Sequence, residues 1–299
     1  MPAEVRNPGE GGGARARRGR VRRRRRVAAT VLALFALAAT YLVLAATVFA
    51  PVDQHGASVT HLTVDSAAVG RKLGVNVVVP DRVPPRGRRS LLVVLHGRGG
   101  SDGTFTGNEA VYAGLARLGR RAPVLAFPDG GDHSYWHNRR DGAWDRYVVR
   151  EVIPIVSRRF GIEPGRVAIG GISMGGFGAY DIALHHPRRF CAVGGHSAAL
   201  WFEAGETAPG AFDSAADFAR NDVVGTVAAD PDAFGSMRIW NDFGSRDPFR
   251  GYNEGFVDQL EGGGTDVSAH SWPGGHDNAY WNPHWPAYLR FYASSLARC

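Results

Sequence analysis

The sequence predicts an α/β fold in which helices cover both faces of a mostly parallel sheet. Three observations lead to this prediction. Apolar runs of strand length alternate with helical patterns over most of the 299 residues. One run, within residues 90–95, is uninterrupted, as is typical of a strand buried on both faces. Another, residues 167–172, leads directly into a glycine-flanked serine and then into a helical pattern.

The segment Gly171-Ile172-Ser173-Met174-Gly175 is the centre of this prediction. A strand, a tight turn and a helix in this order are typical of a nucleophile elbow, which holds a serine in a strained backbone conformation. Gly171 and Gly175 are expected because a side chain at either position would collide with the neighbouring strand or helix. The alternative is a plain glycine-rich loop, since a chain with 40 glycines matches so short a pattern by chance. The other motifs must decide between the two.

Hydrophobic periodicity and the positions of glycine and proline predict the other elements. Strands are expected at residues 61–66, 73–79, 90–95, 123–127, 167–172, 190–195, 237–243 and 267–272. Helices are expected at residues 108–118, 144–160, 175–185 and 286–297. The segment 201–236 has weak periodicity, and it is either a cap over the active site or an irregular excursion.

Charge is distributed unevenly along the chain. The formal net charge is +7, but residues 1–26 contain ten arginines and two glutamates, a net +8, which leaves −1 for the remainder. With 44% hydrophobic residues, the remainder is long enough to bury a large core in one domain. Because this domain is nearly neutral, we expect no nucleic-acid partner.

The N-terminal region is predicted to anchor the protein in a membrane. Residues 1–26 have almost no apolar content and are expected to be a disordered, basic cytoplasmic tail. Residues 27–50 carry no charge, and as a helix they would be about 36 Å long, enough to cross a bilayer. The arginines keep the N-terminus in the cytoplasm, so a linker at 51–60 and a catalytic domain at 61–299 would lie outside. A cleaved signal peptide, giving a secreted protein, is the alternative, but Pro51 makes a poor cleavage context.

A serine nucleophile needs a base and an acid, and both follow Ser173 in the chain. Asp247 lies in a loop after a predicted strand, where ligands gather in open α/β sheets. Asp242 is the competing acid, but we prefer Asp247 because Asp242 lies inside the strand. His276 lies on a glycine loop after the last strand. The interval from Asp247 to His276 fits one helix and one strand, which returns both side chains to the same edge of the sheet.

The other histidines have weaker placements. His196 lies at a strand end, where it could support the site, whereas His185 and His186 are expected at the surface. His133 and His137 have metal-ligand spacing, but the preceding Pro-Asp-Gly-Gly argues against the helix that such a site needs. We therefore expect no metal and no cofactor.

Two backbone N–H groups are expected to bind the oxyanion. One belongs to Met174, directly after the nucleophile, and the other to Arg98 or Gly97 in the glycine-rich loop after the 90–95 strand. A further set of candidates, aromatic side chains that could bind substrate or simply pack, comprises Tyr135, Trp136 and Trp281.

From about His61 to Arg298 the chain resembles the α/β-hydrolases of the esterase group that includes esterase D and the mycobacterial mycolyltransferases. The resemblance is carried by five motifs: His96-Gly97-Arg98-Gly99-Gly100, Trp144 with Glu151-Val152-Ile153-Pro154, Gly171 to Ala179, Gly244-Ser245-Arg246-Asp247-Pro248-Phe249, and Gly275-His276-Asp277 followed by Tyr280-Trp281. It implies Ser173 as nucleophile, Asp247 as acid and His276 as base, with the backbone of Arg98 in the oxyanion hole. No clear counterpart of a trehalose site is visible in the sequence.

The function predicted is that of a membrane-anchored, extracytoplasmic serine esterase acting on a small-molecule, lipid or glycan ester. The alternative is an acyltransferase, of mycolyltransferase or diacylglycerol acyltransferase type, in which a lipid or sugar alcohol replaces water. Both share the chemistry up to the acyl-enzyme, so the three candidate residues do not separate them. A catalytically silent binding protein on this fold would predict a broken triad, whereas all three residue types are present.

Cys191 and Cys299 are the only cysteines. Cys191 is expected at the start of a strand, opposite the active site, and the closing helix would run down to the same end of the domain. Outside the cytoplasm the two could form a disulfide. A buried thiol and a frayed terminal thiol are the alternative, and the sequence leaves both open.

Overall fold

The computed structural model describes residues 23, 29–41 and 52–299, which fall in two compact units, Met1–Val52 and Asp53–Cys299. In the first unit, residues 29–41 are helical and exposed. Within the described ranges, no helix has the length and apolar character needed to cross a bilayer. Most of the predicted tail and the rest of the predicted 27–50 span lie outside the described residues.

The second unit is built on an eight-stranded sheet with strand order β1-β2-β4-β3-β7-β8-β9-β10. The two pairings β1–β2 and β2–β4 are antiparallel, and the others are parallel, which confirms the mostly parallel sheet. The strands are β1 Ser58–Ser66, β2 Arg71–Val79, β3 Arg89–Leu95, β4 Val124–Pro128, β7 Ile162–Ile172, β8 Ala192–His196, β9 Arg238–Gly244 and β10 Val267–Trp272. Two short strands, β5 Asn138–Arg139 and β6 Gly142–Ala143, form a separate hairpin.

Seven helices accompany these strands in residues 52–299, on both faces of the sheet. They are α1 Glu109–Leu118, α2 (Trp144–Arg146, a π turn Tyr147–Val152, then Ile153–Phe160), α3 Met174–His185, α4 Ala215–Arg220, α5 Val223–Ala229, α6 Arg250–Gly262 and α7 Asn278–Leu296. Short 3₁₀ turns lie at Gly119–Arg121 and Ala204–Glu206.

Several element boundaries differ from the sequence prediction, among them the starts of β1 and of helix α7. Strand β1 begins at Ser58, so the folded domain starts within the predicted 51–60 linker. Helix α7 begins at Asn278 rather than at residue 286, because the Asp277 side chain accepts from the Tyr280 N–H and caps a helix that continues through two prolines. The segment 201–236 contains two short helices, α4 and α5, between irregular stretches.

The core lies on both faces of the central strands. Alternate residues of β3, Leu91, Val93 and Leu95, join one apolar cluster with side chains of α2 and α3, while Leu92 and Val94 point to the opposite face. On that opposite face α7 approaches the sheet closely. A Cβ at Gly170 of β7 or Gly194 of β8 would collide with the Tyr292 hydroxyl of α7, so the helix can pack here only because both positions are glycine.

The parallel strands bring the predicted site residues to one edge of the sheet. Ser173 follows β7, His196 ends β8, Asp247 follows β9 and His276 follows β10. Because parallel strands end at the same edge of a sheet, residues far apart in the chain lie side by side there.

A disulfide joins Cys191, directly before β8, to Cys299 at the C-terminus, with the Cα atoms 6.0 Å apart. Of the two alternatives left by the sequence, the structure has the bonded one. The two cysteines are 108 residues apart in the chain. The bond holds the segment after α7 to the start of β8.

Replacing both cysteines by serine should lower the free energy of unfolding by about 2–5 kcal/mol, because the open chain gains conformational freedom when it unfolds. Denaturant unfolding of oxidised full-length protein would measure the difference. The matched control is reductant, which should shift the unfolding midpoint of the wild type and not that of the double variant. Equal midpoints for the oxidised wild type and the double variant would show that the bond does not stabilise the fold.

Candidate active site

The backbone around Ser173 has the conformation of a nucleophile elbow. Ser173 lies between β7 and α3 with φ 56° and ψ −117°, outside the regions that a serine ordinarily adopts. A Cβ at Gly171 would collide with the backbone of Gly175, and one at Gly175 would collide with the backbone of Leu95. The Ser173 N–H donates to the His196 carbonyl at 3.0 Å, which ties the turn to the end of β8. The glycine-rich loop alternative therefore does not describe this segment.

The structure brings Ser173, His276 and Asp247 together in one hydrogen-bonded chain. His276 Nε2 lies 2.8 Å from Ser173 Oγ, and His276 Nδ1 lies 3.1 and 3.0 Å from the two carboxylate oxygens of Asp247. The Asp247 side chain is fully buried, whereas that of His276 is 21% exposed. With Nδ1–H donated to the carboxylate, Nε2 presents its lone pair to the serine hydroxyl. The arrangement can take a proton from Ser173 Oγ.

Aromatic rings hold the imidazole of His276 from two sides. The Phe249 ring centroid lies 5.2 Å from that of His276, and the Trp281 ring meets His276 edge-on at 5.1 Å. The Trp281 indole in turn donates from Nε1 to Ser197 Oγ at 3.0 Å. These contacts limit rotation of the imidazole ring. They favour the orientation in which Nε2 faces Ser173 Oγ.

A cleft of about 460 Å³ opens over the serine. Its walls include the loop Gly97–Gly100 on one side and His276 with Trp281 on the other, and Ser173 lies between them. Of the three aromatic candidates from the sequence, the structure places Trp281 in this wall. The volume is within the range of small-molecule sites.

Two of the three residues predicted to supply oxyanion donors, Gly97 and Arg98, line this cleft. A Cβ on Gly97 would lie only 3.3 Å from Ser173 Cβ. The absence of a side chain at Gly97 therefore lets this loop pack closely against the serine. The Gly97 carbonyl oxygen lies 2.8 Å from His96 Nδ1 and accepts from the Gly100 N–H at 3.1 Å. Because the two polar groups of a trans peptide point in opposite directions, the Arg98 N–H points away from this carbonyl oxygen. Met174 N–H is the first of helix α3 and has no intrahelical acceptor.

Tyr135 and Trp136 are buried and are not among the residues that line this cleft. They are 3% and 0% exposed. Trp136 donates from Nε1 to the His96 carbonyl at 3.2 Å and packs where Gly178 of the elbow helix leaves space. Tyr135 meets Phe177 with ring centroids 6.0 Å apart. Both side chains pack against the elbow helix, and burial raises the pKa of the Tyr135 hydroxyl.

Asp242, the competing acid, lies in a separate buried network. Its Oδ1 accepts from His196 Nδ1 and from Trp240 Nε1, each at 2.6 Å. Its Oδ2 accepts from the hydroxyls of Tyr280 at 2.9 Å and Tyr288 at 2.8 Å. Burial, together with the charge of Asp242, raises the pKa of both tyrosines, so they remain donors. The carboxylate that contacts His276 is that of Asp247, as preferred from the sequence.

This network extends to the elbow through His196. The His196 carbonyl accepts from Ser173 N–H, and the next residue, Ser197, donates its N–H to the Asp242 carbonyl at 2.7 Å. Tyr292 OH lies 3.1 Å from His196 Nε2. The sequence indicated His196 as a supporting residue but not its partners. The spacing of Tyr280, Tyr288 and Tyr292, which puts them on one face of a helix, was the signal that could have found them.

The remaining histidines lie away from the cleft. His137 is fully buried, with Nε2 3.0 Å from the Ala211 carbonyl, and burial lowers its pKa. His186, predicted at the surface, is partly buried because it pairs with Asp145 at 2.8 Å. His185 is exposed as predicted.

Clusters of potential metal ligands are rare in the described residues. One group of three lies close enough to share an ion there, Asp53, His55 and Glu109, and all three are exposed. None of the candidate site residues belongs to this group. We assign no metal role to it.

The family described as "Putative esterase" matches residues 66–292, about three quarters of the chain. The chain belongs to this esterase family. The resemblance found in the sequence is thereby confirmed.

Two curated relatives and one solved structure illustrate the similarity. "Esterase MT1326" of Mycobacterium tuberculosis (strain CDC 1551 / Oshkosh) is 30% identical over 142 residues, 44% of this chain and 30% of the relative. "Diacylglycerol acyltransferase/mycolyltransferase Ag85A" of Mycobacterium ulcerans is 27% identical over 155 residues, 48% of this chain and 44% of the relative. The chain thus matches less than half the length of either. A solved "ferulic acid esterase" superposes with a TM-score of 0.71 at 20% identity, covering 81% of this chain and 99% of its own, and supports the fold.

Asp242→Asn should lower the free energy of unfolding by about 3 kcal/mol, because the amide places an N–H group against buried donors and leaves them without an acceptor. Denaturant unfolding measures the change. The matched control is Asp258→Asn at an exposed position, for which we expect a change within about 0.5 kcal/mol. An Asp242→Asn protein as stable as the control would show that the carboxylate is not needed to hold this network.

Proposed function

We propose that the protein is a serine carboxylic ester hydrolase with Ser173 as nucleophile, His276 as general base and Asp247 as the acid that orients it. The observation that carries the proposal is the hydrogen-bonded chain from Asp247 through His276 to Ser173 at the floor of an open cleft. Membership of the esterase family and the name of the Mycobacterium tuberculosis relative support the same reaction class.

The first half of the reaction forms an acyl-enzyme. Ser173 Oγ attacks the ester carbonyl carbon while its proton passes to His276 Nε2, and the Asp247 carboxylate stabilises the imidazolium. The carbonyl oxygen becomes an oxyanion, which accepts from the backbone N–H of Met174 and from that of Arg98 or Gly97. His276 then returns the proton to the alcohol oxygen as the C–O bond breaks, and the alcohol leaves.

The second half releases the acid. A water molecule donates its proton to His276 Nε2 and attacks the acyl carbon, and the same backbone donors hold the second oxyanion. Collapse returns the proton to Ser173 Oγ. These steps need only groups of this chain, an ester and water.

Acyl transfer is the second candidate, in which an alcohol replaces water in this second half. It is favoured by the name of the Mycobacterium ulcerans relative, an acyltransferase. It also agrees with the open space beside Ser173, because an acceptor alcohol must reach the acyl carbon that water would otherwise attack.

Ser173→Ala should reduce kcat/KM for p-nitrophenyl butyrate by about 10⁴-fold or more, and Asp247→Asn by about 10²–10⁴-fold, because each removes a member of one proton-transfer unit. A fluorophosphonate probe should label the wild type and not Ser173→Ala. Ser271→Ala, an exposed serine on β10, is the matched control and should retain activity. Labelling that persists in Ser173→Ala would overturn the assignment of the nucleophile.

The same assay separates hydrolysis from transfer. Adding glycerol or a sugar should leave the rate of acid release unchanged if water is the acceptor. A faster release of p-nitrophenol, with an acylated alcohol among the products, would identify an acyltransferase.

We further propose that residues 27–50 anchor the protein in the cell membrane, with the N-terminus in the cytoplasm and the esterase domain outside. The support is in the sequence: 24 residues without a charge follow a run of arginines. A helix that is apolar on all sides suits lipid better than water. Secretion after cleavage is the alternative.

Full-length protein should therefore remain in the membrane pellet after an alkaline carbonate wash, and a chain without residues 27–50 should not. The N-terminus of the protein recovered from cells should be that of the uncleaved chain. Recovery from the medium with a new N-terminus near residue 51 would support secretion instead and exclude the anchor.

A further inference from the structure

Arginines are concentrated at the edge of the sheet where its four central strands begin. The segments directly before β3, β4, β7 and β8 are residues 80–88, 117–123, 157–161 and 186–191. Together they contain ten arginines and one acidic residue, Asp81, a net charge of +9. Because these strands are parallel neighbours, the four segments lie side by side, at the edge opposite the catalytic cleft. We call these four segments the basic edge.

Hydrogen bonds join the segments of the basic edge that precede β3 and β7. Gly87 N–H donates to the Gly161 carbonyl at 2.6 Å. The Arg86 guanidinium donates to the carbonyl oxygens of Arg158 at 3.3 Å and Arg159 at 2.8 Å. The backbone thus holds arginines of two segments next to one another, although their charges repel.

These charges are open to solvent and mostly uncompensated by the protein. All ten arginines are exposed. Among residues 52–299, one of them forms an ion pair with a carboxylate, Arg82 with Asp81 at 3.9 Å. Since residues 27–299 carry a net charge of −1, everything in that range outside the basic edge carries −10. The segments before β9 and β10 are acidic, with Asp230, Asp232, Glu261 and Asp266.

This separation of charge points to an anionic partner. A cluster of like charges destabilises the folded state by repulsion, and a partner of opposite charge relieves it. Guanidinium groups suit phosphate in particular, because each can donate two parallel hydrogen bonds to it. A surface that presents many phosphates at once would match the spread of the basic edge over four strands.

The chain enters the domain at this same edge. Strand β1 is antiparallel to β2, and β2 is antiparallel to β4, so β1 runs in the direction of the central strands and begins where they begin. A cavity of about 330 Å³ is lined by His55 and Ala57 of the entering segment, by Arg82, and by Gly119 after α1. The first residues of the domain therefore lie against the basic edge.

We propose that the basic edge docks on the anionic phospholipid headgroups of the membrane in which residues 27–50 are anchored, with the catalytic cleft facing away from the bilayer. Seven residues separate residue 50 from β1, and an extended chain of seven residues spans at most about 25 Å. The anchor thus brings the basic edge, rather than the cleft, to the lipid. The inference rests on the proposed anchor and not on the chemistry of the active site.

Docking in this orientation limits where the substrate comes from. The cleft over Ser173 would open toward the water outside the membrane, because it lies at the opposite edge of the sheet. Ester substrates would then reach the nucleophile from solution rather than from the bilayer that holds the enzyme.

The test compares how far two points of the domain lie from the bilayer. In full-length protein, Ala116→Cys adds a thiol at an exposed position beside the basic edge, and Ser271→Cys adds one at an exposed position near the end of β10. Because the two native cysteines are joined in a disulfide, a fluorophore reacts with the introduced thiol alone. Nanodiscs of phosphatidylcholine, pure or mixed with phosphatidylglycerol, contain a rhodamine-labelled lipid as the acceptor of energy transfer.

Phosphatidylglycerol should increase the energy transfer from residue 116 and not that from residue 271, because docking brings one edge of the sheet to the lipid and turns the other away. About 1 M NaCl should remove the increase, since it shortens the Debye length to about 3 Å. The ratio of docked to undocked protein follows from the transfer efficiency.

Replacing Arg117, Arg120 and Arg121 together by glutamine should lower this ratio by about tenfold to a hundredfold, because each arginine near an anionic surface adds to the attraction. The matched control replaces three other exposed arginines that form no ion pair among residues 52–299 and lie on the β5–β6 hairpin and the first half of α2, namely Arg140, Arg146 and Arg150. The control should leave the ratio unchanged. Both variants should hydrolyse p-nitrophenyl butyrate like the wild type, which shows that they are folded.

The outcomes separate the proposals. Energy transfer from residue 116 that is the same in both lipids overturns the docking, and it is the result expected if the basic edge binds a second copy of the chain or an anionic polymer instead. An increase of equal size in the triple variant and its control overturns the docking as well. Protein that does not enter nanodiscs overturns the anchor, and the docking with it. Ester hydrolysis in the same samples reports separately on the esterase function.

Discussion

The strained backbone at Ser173 is the constraint on which the rest of the structure depends. A serine with φ 56° costs about 1–3 kcal/mol and persists only where its surroundings fix it. Here the ends of three neighbouring strands do so: Gly171 and Gly175 touch one another, Gly175 touches Leu95 at the end of β3, and Ser173 N–H is bound by the His196 carbonyl of β8. The strain places the hydroxyl above the sheet edge, where His276 Nε2 meets it at 2.8 Å.

Two aspartate–histidine pairs lie at this edge of the sheet, and they differ in how far their histidines are exposed to solvent. Asp247 and His276 face the cleft, and the imidazole is partly open to solvent, so it can exchange protons with a substrate. Asp242 and His196 are buried, and each side-chain nitrogen or oxygen of the pair already has a partner. A buried carboxylate is tolerated because four donors replace the water it has lost. The buried pair, Asp242 and His196, therefore holds the backbone of the elbow, which places Ser173 against His276.

Local signals in the sequence were sufficient for most of the fold. Apolar runs and hydrophobic periodicity predicted every strand of the eight-stranded sheet, and the positions of Ser173, Asp247 and His276 after three of these strands predicted that the three candidates meet at one edge. Tyr135 and Trp136 both have positive φ and pack against the elbow helix, and nothing in the sequence marks that conformation. The Asp242 network joins β8, β9 and α7: the tyrosine spacing indicates a shared helix face, but no local signal shows which strands that face meets.

Helix α7 connects the support of the site with its wall. Its start at Asn278, eight residues earlier than predicted, adds two turns directly after His276. One face of these turns contributes Trp281 to the wall of the cleft, while Tyr280 on another face donates its hydroxyl to Asp242. Pro283 and Pro286 misled the prediction because proline more often begins a helix than continues one. Since both faces belong to one helix, the hydrogen bonds that fix its first turns also hold Trp281 beside His276.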